Sequence, residues 1–117
     1  MLTYESNSFL AFLQTNPPIV NLFISPDPPE IITRPVDQVV WVGQQVTLFC
    51  DVAGNPVPKI VYSIVGENGT VGFGKTLIIN GSSTAYVKTY ICTAMNGIKP
   101  QATAHAKITV LGKLMAL

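Results

Sequence analysis

The stretch GQQVTLFCDV, residues 43–52, decides the fold class of this chain. After the Gly-Gln turn signal, the apolar residues Val46, Leu48, Cys50 and Val52 alternate with threonine, phenylalanine and aspartate. Successive side chains of a β-strand point to opposite faces, so this alternation predicts a strand with one face turned toward a core. Cys50 is expected to lie on that inward face.

Shorter runs of the same kind continue in both directions along the chain. They are rich in β-branched residues, and turn signals separate them: the proline-containing segment 53–58, a glycine-rich excursion at 66–74, and Asn-Gly pairs. No run shows a helical period, and short strands at this spacing are typical of an all-β sandwich. The other predicted strands are 36–42, 60–64, 77–79, 90–94 and 106–110.

Length and charge limit what the chain can be. Its 117 residues suffice for one domain with an ordinary core but not for two complete domains. Charged residues make up only 11% of the chain, against roughly 25% in an average soluble domain, so an apolar surface is expected. Seven basic residues are spread singly against six acidic ones, which argues against nucleic acid and anionic lipid as partners.

The N-terminal quarter is expected to lie outside the domain. Residues 1–27 are interpreted as an N-terminal extension or linker, or as the tail of a preceding module of a longer protein. A cleaved signal peptide is the less favoured alternative, because the segment lacks a positively charged start and contains Glu5. Its apolar residues also fall into two runs too short to cross a bilayer. The predicted domain spans 28–112, and residues 113–117 form a C-terminal tail.

Five short motifs follow one another at characteristic spacings. They are Pro28-Pro29-Glu30-Ile31, Gly43-x-x-Val46-x-Leu48-x-Cys50, Gly54-Asn55-Pro56-x-Pro58, Leu77-x-Ile79 and Tyr90-x-Cys92-x-Ala94-x-Asn96. In this order they resemble the I-set, or Ig-like C2-type, of immunoglobulin domains, and the resemblance covers the chain apart from its N-terminal quarter. It implies an all-β, immunoglobulin-like Greek-key sandwich of two antiparallel sheets.

The resemblance also implies roles for particular residues. Cys50 and Cys92 would form a disulfide between the sheets, and closing a loop of this length should add roughly 4 kcal/mol of stability in the chain-entropy model. Two unpaired thiols in an intracellular sandwich remain the alternative, because free cysteine is also a common core residue. Tyr90 would be the tyrosine corner, whose hydroxyl returns to the backbone, while Leu48 and Leu77 would lie in the core.

The chain departs from the family pattern at several positions. Where the family usually has tryptophan on the third strand, the inward residue is Tyr62, whose hydroxyl needs a partner once buried. The only tryptophan is instead assigned to the first predicted strand. Tyr86 and Lys88 replace the family's Asp and Gly before the second cysteine, and Ser82 replaces an apolar residue. The segment 82–89 is therefore expected to be irregular.

One match looks like an enzyme signature. Residues 69–76, GTVGFGKT, satisfy the P-loop pattern, which cradles nucleotide phosphates where the loop enters a helix N-terminus. Here the strand-like run 77–79 follows, so a loop between strands is favoured and no nucleotide is expected. The only histidine, His105, lacks the nucleophile and orienting acid that a general base needs. Two distant cysteines with one histidine are a poor zinc set, so no metal, cofactor or enzyme activity is predicted.

Two kinds of surface site are predicted. The tripeptides that start at Asn68 and Asn80 match the N-glycosylation pattern and lie in predicted loops. The predicted strands 60–64, 90–94 and 106–110 share a sheet in this fold, and their outward apolar side chains form a surface of the kind that marks a partner. Cover by a neighbouring module or by a glycan is the equally weighted alternative. This candidate partner face consists of Val61, Val65, Ile91, Thr93 and Thr109.

These observations predict a non-catalytic protein–protein interaction or adhesion module, as part of an extracellular, receptor or cell-adhesion protein. Its expected partner is a protein, either another immunoglobulin-type ectodomain or a neighbouring module, and this segment is not expected to insert into a membrane. The alternative is a structural module of an intracellular, titin-like protein of the muscle sarcomere. An oxidised cysteine pair and glycans would favour the first, since fold alone does not determine function.

Overall fold

The computed structural model describes residues 25–113, and in that range the chain forms β-strands and no helix. The predictions for residues 1–24 and 114–117 lie outside the described residues. In chain order the strands are β1 (Asp27–Thr33), β2 (Gln38–Trp41), β3 (Val46–Phe49), β4 (Asp51–Asn55), β5 (Lys59–Ile64), β6 (Gly72–Phe73), β7 (Thr76–Ile79), β8 (Tyr86–Met95) and β9 (Ala102–Leu111).

The strands are arranged in two layers. One layer is a five-stranded sheet in the order β2-β9-β8-β5-β6. The other consists of the pairs β1–β4 and β3–β7, which are continuous because only Cys50 separates β3 from β4. All strand pairs are antiparallel except β2 with β9, which run parallel. The all-β sandwich predicted from the alternating runs is confirmed.

The core lies between the layers and takes alternate residues from the long strands. In the stretch 43–52, Val46, Leu48 and Cys50 are buried whereas Thr47 and Phe49 are exposed, as the alternation predicted. The same period buries every second residue of β9. The largest fully buried side chains are Tyr62, Leu48, Ile108, Val46, Cys50 and Cys92.

The two cysteines form a disulfide that joins the layers. The Cα atoms of Cys50 and Cys92 are 6.6 Å apart, and both residues are fully buried. Tyr62 pairs with Cys92 across β5 and β8, so the tyrosine occupies the strand position beside the disulfide at which the family usually has tryptophan. The alternative of two unpaired thiols is not the state of this structure.

A strand that was not predicted precedes the first predicted one. Pro28 and Pro29, placed at the start of the domain but outside any predicted strand, lie within β1, which pairs with β4. Proline has no backbone N–H, but it is tolerated on an edge strand or at a bulge, and the register of β1 shifts between Asp27 and Glu30. The same pairing extends β4 to Asn55, into residues predicted to be a turn.

The segment 82–89, predicted to be irregular, is regular over its second half. Strand β8 begins at Tyr86, which pairs with Val110, and Lys88 pairs with Ile108 on β9. The prediction was wrong there because backbone hydrogen bonds of a long antiparallel ladder do not require particular side chains. The loop character remains only ahead of β8, where the Ser82 hydroxyl donates to the carbonyl of Thr84 at 2.8 Å.

The glycine-rich connection carries the chain from one layer to the other. The Gly74 N–H donates to the Ile60 carbonyl in the five-stranded sheet, and the next carbonyl, that of Lys75, accepts from the Cys50 N–H in the other layer. Gly74 has a φ of 89°, a left-handed conformation that glycine adopts without strain. The P-loop-like segment 69–76 is therefore a crossing between sheets that leads into a strand.

Candidate functional site

The outward face of the five-stranded sheet contains the candidate partner face. Val61 on β5 pairs with Thr93 on β8, and Ile91 follows two residues before Thr93 on the same face. Thr109 lies further along the sheet, because it is on the part of β9 that pairs with the start of β8. Val65 comes directly after β5 and donates its N–H to the carbonyl of Thr89 at 2.9 Å. The five residues thus share a face but do not form one compact cluster.

Exposure within this set is uneven. Val65 is 52% exposed, whereas Val61, Ile91, Thr93 and Thr109 are half-buried. Strands on both sides cover these four side chains, because β5, β8 and β9 all lie inside the sheet. The predicted residues therefore form the floor of the face, and more exposed side chains surround them.

Sequence reasoning missed the most exposed of these neighbours. Phe73 on β6 pairs with Val61 and is 71% exposed. Strand β6 has only two residues in a glycine-rich segment, so no alternating pattern indicated it. With Phe73 added, the β5–β6 end of the sheet presents an apolar edge beside Val61.

A second exposed cluster lies at the opposite edge, and we call it the Trp41 patch: Val39, Trp41, Val87 and Leu111. These side chains are 67%, 47%, 59% and 39% exposed, respectively. The parallel pairing of β2 with β9 creates the patch by bringing Trp41 beside Leu111 and Val39 beside Thr109, opposite Val87. The only available signal was the spacing of two between Val39 and Trp41.

The two sequons differ in their surroundings. Asn68 is exposed in the turn after β5, next to Gly69, which has a φ of 91°. Asn80 is also exposed, but the next residue, Gly81, packs against the carbonyl oxygen of Gly43. An oligosaccharide therefore has open space around Asn68 and a more confined position at Asn80.

Asn96 connects three segments at one end of the sandwich. Its Nδ2 donates to the carbonyls of Asp27 and Pro56, at 2.7 and 2.9 Å, and its Oδ1 accepts from the Ile98 N–H at 3.0 Å. The β8–β9 hairpin is thereby tied to the start of β1 and to the β4–β5 loop. Residues 95–101 of this hairpin line an open cavity of about 440 Å³.

The two core tyrosines are structural. The Tyr62 hydroxyl donates to the Lys75 carbonyl at 3.3 Å, which supplies the partner that its burial requires. Burial raises the pKa of Tyr62 to about 12. Burial, followed by the neighbouring Tyr86 hydroxyl and the charge of Glu67, raises the pKa of Tyr90 to about 12. The Tyr90 hydroxyl thus lies near the Tyr86 side chain, and the role of Tyr90 as the tyrosine corner stays a prediction.

The residues considered for chemistry are not brought together. His105 is exposed on the outward face of β9, where it pairs with Ile91. Within residues 25–113, no three His, Cys, Asp or Glu side chains are placed to hold a metal ion. That part of the chain also has no helix of the length and apolarity needed to cross a membrane.

Comparison with known proteins adds independent information. A family model described as an immunoglobulin domain matches residues 28–96. The chain is 27% identical over 99 residues to the receptor-type tyrosine-protein phosphatase S of Gallus gallus, and 29% identical over 108 residues to the tyrosine-protein phosphatase Lar of Drosophila melanogaster. These matches cover 75% and 82% of this chain but only 6% and 5% of the two relatives.

A solved structure shows the same relationship in three dimensions. The titin and obscurin-like 1 immunoglobulin mutant complex contains a chain with a TM-score of 0.65 and 26% identity to this one. The match covers 78% of this chain and all of that chain.

Proposed function

We propose, from the premise that this chain belongs to the immunoglobulin domain family, that it is a non-catalytic, I-set-type module of an extracellular receptor or adhesion protein. Its partner is a protein, bound by the outward face of the five-stranded sheet. The observation that carries this proposal is the concentration of exposed apolar side chains at both ends of that face, Phe73 at one and the Trp41 patch at the other. Contiguous exposed apolar surface usually marks an interaction site.

The size of the face fits this role. Strands β8 and β9 have ten residues each, and strands rise about 3.4 Å per residue and lie about 4.8 Å apart. The other three strands have six, four and two residues, so the face of the sheet measures roughly 500 Å². A standard protein–protein interface takes about 800 Å² from each partner, so the face and its adjoining loops supply enough surface.

The proposed location rests on the disulfide and on the relatives. Disulfides persist in oxidising compartments, and the curated relatives are phosphatases of which one is named receptor-type. We include N-glycosylation at Asn68 and Asn80 in the proposal because both asparagines are exposed. Asn68 is the better acceptor, since no backbone packs against the residue that follows it.

A second candidate is a structural module of an intracellular, titin-like protein. The similarity to the titin and obscurin-like 1 complex supports it. In that case the two sequons stay unmodified. The two candidates therefore differ in covalent state, which intact mass measures directly.

The location is tested by the intact mass of the protein from its natural source, with and without reduction and glycosidase treatment. An increase of two hydrogens on reduction, together with a glycosidase-sensitive excess, is expected for the extracellular module. Free thiols and bare asparagines would establish the intracellular alternative.

The binding face is tested with a panel of recombinant immunoglobulin-type ectodomains, against which the protein and its variants are screened. Phe73→Glu and Trp41→Glu place a charge at either end of the face and are expected to abolish binding. The matched control is Ile78→Glu on β7, which is 57% exposed on the other layer. Equal binding by all three variants, with folding intact, would reject the face.

A further inference from the structure

Charge is distributed unequally around the sandwich. The charged side chains on the outward face of the five-stranded sheet are Lys59 on β5 and Lys107 on β9, and both are exposed. His105 lies one step from Lys107 on the same face. No outward residue of β2, β5, β6, β8 or β9 is an aspartate or glutamate, and these strands lie wholly within the described range.

The carboxylates of the described residues are located elsewhere. Two of them lie in or near the rim of the face but are already engaged: Asp37 accepts the backbone N–H of Lys107 at 2.8 Å, and Glu67 pairs with Lys88 at 3.2 Å. The other layer contains the remaining three, which are Asp27 and Glu30 on β1 and Asp51 on β4. Asp51 pairs with Lys75 at 3.3 Å.

The two lysines of the face, Lys59 and Lys107, make no ion pair with a carboxylate within residues 25–113. They lie on different strands and toward different ends of the sheet, so the apolar floor around Val61 and Ile91 lies between them. The face therefore combines apolar surface with two separated positive charges.

We propose that this face is selective for a different protein, one whose matching surface is apolar and carries carboxylates opposite Lys59 and Lys107, and that it does not pair with a second copy of itself. The inference rests on the proposed function, namely that the face binds protein.

The physical reason is desolvation. Any face-to-face pairing of two copies would bring four lysines into one interface without a carboxylate from either face, and burying an unpaired charge is unfavourable. A partner that supplies carboxylates offsets this cost and gains charge-assisted hydrogen bonds. Complementary charge also selects partners, because like charges placed opposite each other reject the wrong one.

The test uses a charge-reversed variant of this chain as the complementary surface. The double variant Lys59→Glu/Lys107→Glu keeps the apolar floor and reverses both charges, so it supplies what the native face lacks. Sedimentation equilibrium is measured on the native protein, on the variant, and on their equimolar mixture. We expect each alone to stay monomeric and the mixture to form a one-to-one complex, which weakens about tenfold or more between roughly 50 and 500 mM salt.

A matched control separates the face from net charge. Lys99→Glu/Lys113→Glu makes the same change in charge at two exposed lysines outside the five-stranded sheet and should form no complex with the native protein. Self-association of the native protein that Phe73→Glu abolishes would overturn the selectivity and leave the binding face intact. A mixture that behaves like the control would also overturn it, whereas the ectodomain panel decides independently whether the face binds protein.

Discussion

At the scale of single residues, one side-chain amide organises an entire end of the molecule. Asn96 uses both hydrogens of its Nδ2 and its Oδ1, and its partners Asp27, Pro56 and Ile98 belong to three different segments. Aspartate is almost the same size but cannot donate. Because the two carbonyls would face a carboxylate, this end of the sandwich depends on the chemistry of residue 96 rather than on its volume.

Asn96→Asp is expected to lower the free energy of unfolding by about 2 to 3 kcal/mol, since two hydrogen bonds become repulsive contacts. Urea denaturation measures the loss. Asn80→Asp is the control, because Asn80 is exposed, and it should cost less than about 0.5 kcal/mol. Equal losses in the two variants would show that the amide network contributes nothing.

The core tyrosines make stability depend on alkaline pH. The pKa values of Tyr62 and Tyr90 rise from about 10 to about 12, so the folded chain retains protons that the unfolded chain releases. Their contribution is fully present below pH 10 and is lost as pH rises toward 12. Each tyrosine adds a slope of about 1.4 kcal/mol per pH unit in that window.

We therefore expect the free energy of unfolding to fall between pH 10 and 12, as measured by urea denaturation at fixed temperature. Tyr62→Phe should lower the free energy of unfolding by about 1 kcal/mol at neutral pH. It should also make the fall of that free energy between pH 10 and 12 less steep, by the contribution of one tyrosine. An unchanged slope in Tyr62→Phe would contradict this account.

At the scale of elements, the loops between strands determine which layer a strand joins. Strand β7 joins the other layer because the chain crosses at Gly74 within one residue. The β7–β8 connection is held against the β2–β3 turn, where the Gly43 N–H donates to the Ser82 carbonyl at 2.8 Å. This close approach leaves no space for a side chain at Gly81.

Gly81→Ala should therefore destabilise the fold by about 1 to 3 kcal/mol, because its Cβ would collide with the Gly43 carbonyl oxygen. Thermal unfolding of the variant measures the effect. Gly112→Ala is the matched control, since its Cβ would lie 3.7 Å from that of Ala85, an ordinary contact. A Gly81→Ala variant as stable as this control would disprove the close packing of the two connections.

Strand pairing is the feature of this fold that local sequence patterns did not predict. The alternation in each run predicted which residues of β3, β5, β8 and β9 face inward, because burial on one face requires a period of two. It did not predict that β2 pairs in parallel with β9, since pairing partners distant in sequence leave no local signature. The Trp41 patch, which depends on that pairing, was therefore missed.

At the scale of the whole molecule, one disulfide joins two layers that are otherwise held by apolar contacts and by a few hydrogen bonds such as that of Asn96 to Asp27. The disulfide closes a loop of 42 residues between the layers. The double variant Cys50→Ala/Cys92→Ala should lose about 4 kcal/mol from loop entropy, and more from the space left by two buried sulfur atoms. Guanidinium denaturation of the native and variant proteins measures the difference.

A loss of less than about 1 kcal/mol in the double variant would mean that the unfolded chain is already constrained without the bond. The native protein treated with reductant serves as a control. Both cysteines are fully buried, so reduction should occur only as the chain unfolds.

Alternation, composition and short motifs predicted the fold class, the inward residues and the sequons, because these are local properties that a sequence displays directly. The pairing of the two cysteines was predicted only by the resemblance to the immunoglobulin family. Tertiary structure alone decided that Pro28 and Pro29 belong to a strand and that residues 86–89 are regular. It also decided that Phe73, the Trp41 patch and two unpaired lysines share one face, because a face is assembled by pairing strands that are far apart along the chain.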